Sequence, residues 1–315
     1  MKKMLIALAC FFTMSAHSAT QEIRLLQQKG ITGNMPLIYQ AIPKFEKMAK
    51  DRGHNVKVVL VPMANSSDAI VSMQSGKMEL IVSAMDTFLI SNDRNPGKMK
   101  LLTATMEQNM DVICSNAEIK NAKDIKPTHR LALRTKGSSE HRVLMQLSKE
   151  VYGDYKALDT GIVTMPRPQI SILMSSGQKE TIDCAVPGTP LQGSLVDARH
   201  ARMIYSASGG NKHAAWASAD WLEKNPRLAE LWIQSLKQAG SEINKNPKIA
   251  FENFRITDGV EMTTDEIINS FTQSRQTFVV GISSIQQQID QLVGVGTLNQ
   301  KPDLKDIVWR VDLAE

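Results

Sequence analysis

The sequence predicts an α/β fold of two lobes, each organised around a sheet. Three observations lead there. Strand-like and helix-like segments alternate from Glu22 onward, the order that βαβ units require. Behind an N-terminal leader of 18 residues come 297 more, enough for about two lobes with substantial cores. Connections are short throughout, with no low-complexity linker, internal repeat or coiled coil, so the lobes form one compact unit.

Glu22–Gln27 reads as the first strand, and Gly33-Asn34 as a turn. Pro36 opens a helix carrying Leu37, Ala41, Phe45 and Met48 on one face, with Pro43 expected to split or kink it. The β-branched run Val56–Val61 reads as a buried strand. Asn65, Ser66, Ser67 and Asp68 offer N-caps for a helix ending at Gly76, and Glu79–Ala84 is a third strand. This βαβαβ opening implies parallel pairing. Leu101–Met106, Asp111–Cys114 and Arg130–Leu133 read as further strands. A helix follows Gly137 with Leu144, Leu147 and Val151 on one face. Gly161–Met165 and Thr181–Val186 read as strands around a short helix at Pro168–Ser176. The last third reads as mostly helical: Asn225–Asn246, then helices starting near Pro247 and Thr264, then Ser283–Val293. Their apolar stripes, and Trp216, Trp221, Trp232 and Trp309, read as core or lobe packing.

The leader has the pattern of an export signal. Lys2 and Lys3 precede an apolar stretch, Met4–Met14, too short to span a bilayer, and Ala16-His17-Ser18 supplies small residues for cleavage after Ser18. A lipid anchor on Cys10 is the alternative, with a poorer match. The net charge is +5, falling to +3 without Lys2 and Lys3. The basic residues are scattered, with no stripe and no interleaved aromatics, which argues against nucleic acid. Cys114 and Cys184 remain; they are too few and too far from His for a zinc cluster, and either pair or stay as buried thiols.

Ligands of open α/β sheets bind beyond the carboxyl ends of strands, at helix N-termini. That rule selects Gly33 and Asn34 after the first strand; Asn65, Ser66 and Ser67 after the second; Ser83, Met85 and Asp86 after the third. In the second lobe it selects Thr135, Gly137, Ser138, Ser139, Arg167, Pro187, Gly188 and Thr189. Unpaired N–H groups at a helix start and serine hydroxyls present donors to an anion. Plain helix capping accounts equally well for Ser66, Ser67, Ser138 and Ser139. Arg167, between Pro166 and Pro168, and Arg134 are candidates to pair with a carboxylate, sulfonate or phosphate, although Arg134 also reads as a solvated surface residue. Asp86 reads as an amine partner or a cap, and His141 as a helix-surface residue.

Several segments resemble the nitrate/sulfonate/taurine-type substrate-binding proteins of ABC importers, a family that includes thiamine-pyrimidine-synthase-like proteins. They are Ser67–Ala84, a helix, Gly, then a strand; Asn121–Lys126; Gly137–His141; Ser176–Ala185; Asn244–Pro247; and Gly296–Asp306. The likeness spans nearly the whole chain after the leader. Phe45-Glu46-Lys47-Met48 and Cys184 depart from the family's pattern. The resemblance implies a type II periplasmic binding fold: two α/β lobes, each a five-stranded sheet flanked by helices, joined by two crossing strands with the ligand cleft between them. It divides the chain into a signal peptide (1–18), lobe 1 (19–108 and 189–315) and lobe 2 (109–188). The crossings fall near Met110–Cys114 and Asp183–Gly188, which makes a Cys114–Cys184 bridge sensible.

The implied function is a periplasmic substrate-binding protein. It captures a small polar or anionic organic molecule of the sulfonate, pyrimidine or carboxylate class by lobe closure and delivers it to an ABC permease in the inner membrane. No cofactor, metal or nucleic acid is implied, and the chain reads as a monomer and not as an enzyme. A sensory domain partnering a membrane receptor is the alternative, followed by an enzyme like the pyrimidine-precursor synthases. The sequence contains no Gly-x-Ser-x-Gly elbow, phosphate-cradling loop with Lys or His-Glu-x-x-His motif.

Overall fold

The computed structural model describes residues 20–28, 33–63, 66–176, 181–188, 191–278 and 281–314. The expected leader and the site residues Asn65 and Thr189 lie outside them. The chain opens as the alternation predicts. β1 (Gln21–Gln27) and β2 (Val56–Pro62) pair in parallel around helix α1 (Met35–Lys50). After α2 (Ser66–Gln74), β3 (Leu80–Ala84) pairs in parallel with β1 on its other side, and α3 (Met85–Arg94) follows. Two local expectations change. β2 is the edge of the sheet, with only Val56 and Val58 buried, so its apolar run is not a central strand. α1 runs unbroken through Pro43, which sits on its exposed face, where water can satisfy the carbonyl that the ring leaves without a donor.

The segments expected as two strands at Leu101–Met106 and Asp111–Cys114 form one strand of 16 residues, β4 (Met99–Cys114). Beyond it lie β5 (Leu131–Leu133), α4 (Ser139–Tyr152), β6 (Ile162–Thr164), α5 (Arg167–Ser175), β7 (Cys184–Ala185) and α6 (Leu191–Asp197). The chain returns on β8 (Arg202–Ser218), 17 residues long and antiparallel to β4 along nearly its whole length. The remainder is mostly helical: α7 (Ala219–Lys224), α8 (Pro226–Lys245), α9 (Lys248–Asp258), α10 (Thr264–Gln273), the short strand β9 (Thr277–Phe278), α11 (Ile282–Gly294), α12 (Leu304–Ile307) and α13 (Val311–Ala314). Eight strands follow one another as β2-β1-β3-β8-β4-β7-β5-β6, with β9 added beside β4. One continuous sheet therefore runs through both lobes, in place of two separate five-stranded sheets.

β4 and β8 are the two crossing strands. Their register shifts between Leu101 and Thr103, Ala104 and Met106, Gln108 and Met110, and Val112 and Ile113; such bulges bend and twist a strand pair. The second crossing is thus β8 and not Asp183–Gly188, whose Cys184 and Ala185 form a short strand inside the second half of the sheet. Packing follows the same division. Two apolar clusters draw on residues up to Met106 and from Ala214 onward. Two others draw on residues between Met110 and Ala207. Leu195, Ala201 and Ala207 thus pack with the second lobe, although they fall in the stretch expected in the first.

Tryptophans occupy the first lobe's core as expected. Trp232 of α8 meets Phe45 of α1 edge-on, with ring centroids 5.4 Å apart, and Trp216 lies against Phe88. Trp221 is buried beside them and Trp309 partly so. In the second lobe Cys114 and Cys184 face one another across the β4–β7 pair and are joined by a disulfide.

Candidate ligand-binding cleft

A cleft of about 850 Å³ opens between the lobes where the strand-end rule points. Its first-lobe wall comes from the start of α2 (Ser66, Ser67, Asp68), the end of β3 (Ser83, Ala84) and α3 (Asp86, Thr87, Ile90, Ser91, Arg94). The facing wall is the loop from β5 into α4, Arg134 to Ser139, together with Arg167 at the first turn of α5. Gln108 and Met110 of β4 and Asn211 and His213 of β8 form the floor.

The second-lobe wall is basic by construction. Glu140, 1% exposed, accepts from the Arg134 backbone N–H at 2.9 Å and from the Arg167 Nη2 at 3.0 Å. The Arg134 Nε stands 3.8 Å from the same carboxylate. Two guanidinium groups therefore share one buried negative charge, and Lys136 adds a third cation to the wall. Burial and the neighbouring Arg167 guanidinium lower the Arg134 pKa, the state of a cation short of counter-charge. Gly188, with φ +73°, lies under Arg167; a Cβ there would come within 3.0 Å of Nη2.

The loop is shaped by its own residues. Gly137 takes φ +82°, and its N–H donates to His141 Nδ1 at 3.1 Å. Nε2 of that ring lies 3.2 Å from Asp159, so His141 holds the loop in place. The Ser138 hydroxyl caps α4 and donates to the Thr135 carbonyl at 2.6 Å. Ser139 bonds Asn211 on the floor at 3.4 Å. The capping role expected for Ser138 is thus realised, and its proton is used within the loop.

Across the cleft, Ser66 and Ser83 bond each other, and both bond Gln28. Asp86 lines the cleft but is neutralised from behind. Arg142 of α4 donates from Nε to its Oδ2 at 3.1 Å, and Gln288 of α11 donates to its Oδ1. Arg142 also bonds Gln291 and the Gly210 carbonyl, which makes a buried tie from the second lobe to the first.

Of the residues the strand-end rule selects, the structure brings Gly33, Ser66, Ser67, Ser83, Asp86, Thr135, Gly137, Ser138, Ser139 and Arg167 into one lining. It does not bring Asn34, whose Nδ2 bonds the Val82 carbonyl beneath α1, nor Met85, which is fully buried in the core. Pro187 lies outside the lining, and Gly188 serves it only through Arg167. Sequence reading missed Gln108, Asn211 and His213. Asn211 and His213 carry one signal, polar residues two apart at the start of an otherwise apolar stretch, the period of one strand face; Gln108, inside the polar run Glu107-Gln108-Asn109, carries none.

No protein-family model matches the sequence, and no curated protein matches it. Solved structures do match. The alkanesulfonate-binding protein SsuA from Xanthomonas axonopodis pv. citri, bound to MOPS, superposes with a TM-score of 0.70 over 92% of this chain and 98% of its own, at 14% identity. The periplasmic nitrate-binding protein NrtA from Synechocystis PCC 6803 gives 0.67 over 93% and 86%, at 13% identity. This chain has the periplasmic binding protein fold. With its two lobes, paired crossing strands and interlobe cleft, it is of type II. The same fold also carries chemistry: the desulfurization enzyme DszB, solved with biphenyl-2-sulfinic acid, gives 0.63 over 93% and 98%, at 13% identity.

Proposed function

We propose that the protein is a periplasmic substrate-binding protein of an ABC importer that captures a small anionic organic molecule between its lobes. The observation that carries this reading is the cluster of Arg134, Lys136 and Arg167 beside the capped start of α4, with one buried carboxylate between the two guanidinium groups. Such a wall offers forked donors and helix-end N–H groups to a sulfonate, phosphonate or carboxylate. The names of the structural neighbours point the same way. The export pattern of residues 1–18 agrees with a periplasmic site of action, and no helix among the described residues is long and apolar enough to cross a membrane. We place the lobe boundaries on β4 and β8. Lobe 2 then comprises the segment between them, with the chain as a monomer that closes on its ligand and docks on the permease.

Isothermal titration with ethanesulfonate, acetate and ethylphosphonate tests this reading. We expect at least one of them to bind stoichiometrically and without turnover. Arg134→Ala should weaken that binding at least tenfold with a melting temperature near wild type, because Arg134 is the more exposed of the two arginines and Glu140 keeps Arg167. Heat on titration that continues with substrate conversion would move the chain to the enzymes of this fold, and absence of binding would remove the anion reading.

A further inference from the structure

The floor of the cleft holds polar atoms that its cationic wall does not engage. His213 lies on β8 opposite Ala84, the last residue of β3, and opposite Met106 of β4. It is 6% exposed, and its Nδ1 has no hydrogen-bond partner. Gln108, on the neighbouring crossing strand, is 4% exposed, and its Oε1 is likewise without a partner. Both line the cleft. Burial, then the Arg167 and Arg134 guanidinium groups, hold the His213 ring neutral, with its pKa pushed down to about 3. A neutral imidazole keeps one N–H and one lone pair. In the tautomer that carries its proton on Nε2 the orphaned Nδ1 is an acceptor, as Gln108 Oε1 is in every state. Each buried acceptor left without a donor is a penalty that a ligand with a matching donor relieves. A simple alkyl sulfonate is itself acceptor-only. It satisfies the wall and leaves the floor unpaired.

We propose that His213 and Gln108 are specificity-determining residues, and that the cleft selects an oxyanion carrying its own uncharged hydrogen-bond donor, placed to reach the floor while the anionic head sits against Arg134 and Arg167. The donor is uncharged because a second cation at that depth would lose its hydration beside the Arg134 and Arg167 guanidinium groups that line the same cleft. Two sources share this chemistry: the P–O–H of a singly protonated phosphonate and the N–H of an amide. The inference rests on the anion-capture reading and deepens it.

The test uses the full-length exported protein and two matched pairs of ligands. One pair is 2-acetamidoethanesulfonate and 2-acetoxyethanesulfonate, close in shape and differing in the amide N–H that an ester oxygen replaces. The other is ethylphosphonate and ethanesulfonate at pH 6. We expect the donor-bearing member of at least one pair to bind at least tenfold tighter. The pair that shows this identifies the source. In Gln108→Met, and separately in His213→Phe, that ratio should fall toward one. Equal affinities within both pairs for the wild-type protein would overturn the inference while leaving anion capture standing, and so would a ratio that survives both substitutions. Failure of all four ligands to bind would remove the anion-capture reading and this inference with it.

Discussion

Asp86 shows how one side chain changes meaning with its neighbours. At the end of β3 it sits where a ligand's amine would be met, yet both of its oxygens are engaged by Arg142 and Gln288, and the ion pair is nearly sealed from water. Removing one partner of such a pair leaves an uncompensated buried charge, worth about 3–5 kcal/mol. Asp86→Ala should therefore lower the urea midpoint sharply, and Asp86→Leu combined with Arg142→Met should recover much of the loss. A single variant as stable as wild type would show that the tie carries little. His213 yields a second expectation. Its folded pKa lies far below the ordinary value of about 6.5, so the unfolded chain takes up the proton first as pH falls. Stability from this group is complete above the unfolded pKa and is lost between about pH 6.5 and pH 3, at roughly 1.4 kcal/mol per pH unit. Denaturation midpoints across that range should fall less steeply for His213→Gln than for wild type; parallel curves would refute this assignment.

Helices and strands differ in how openly the sequence announces them. α1, α4 and α8 carry apolar stripes at helical spacing, and their starts bear a proline or a cap, so each was readable to within a few residues. β8, the longest strand, was not. Its residues include Gly, Ala, Ser, Asn and Lys, which disfavour strands on their own. It forms because β4 pairs with it along nearly its whole length and β3 pairs with its other edge from His213 to Ala217, so tertiary pairing overrides the local preference. The cleft's floor was lost with it, since two of the floor's four residues lie on β8, while the walls were found because strand ends and caps follow a local rule. At this scale Ser138→Ala tests the α4 loop. It removes both the cap and the bond to Thr135, and should cost about 1 kcal/mol and weaken anion binding, both measurable on one purified variant. Gly188→Ala should weaken binding further, because a methyl group there presses on the Arg167 guanidinium.

For the whole molecule, among the described residues, the lobes are joined by a pair of bulged strands, by the buried Arg142–Asp86 ion pair and by α6 against α10, where Gln273 donates to Asp197; the cleft lies between them. Ligand that bridges both walls should favour the closed arrangement, and small-angle scattering should show a smaller radius of gyration with ligand than without. An unchanged radius with saturating ligand would count against closure. The disulfide acts elsewhere, wholly within the second lobe. Cys114 and Cys184 are 1% and 0% exposed, so reductant should reach them only when that lobe opens. Breaking the bridge should then remove roughly 4 kcal/mol of loop-closure stabilisation for its span of 70 residues. The bridge also has a topological consequence. With its first and last residues welded, the stretch from Cys114 to Cys184 is a covalent ring, through which the rest of the polypeptide enters and leaves at a single point. A protease that cuts once inside the ring releases nothing. The nicked protein migrates as one species until it is reduced, whereas a cut anywhere else frees a fragment as soon as the fold is lost.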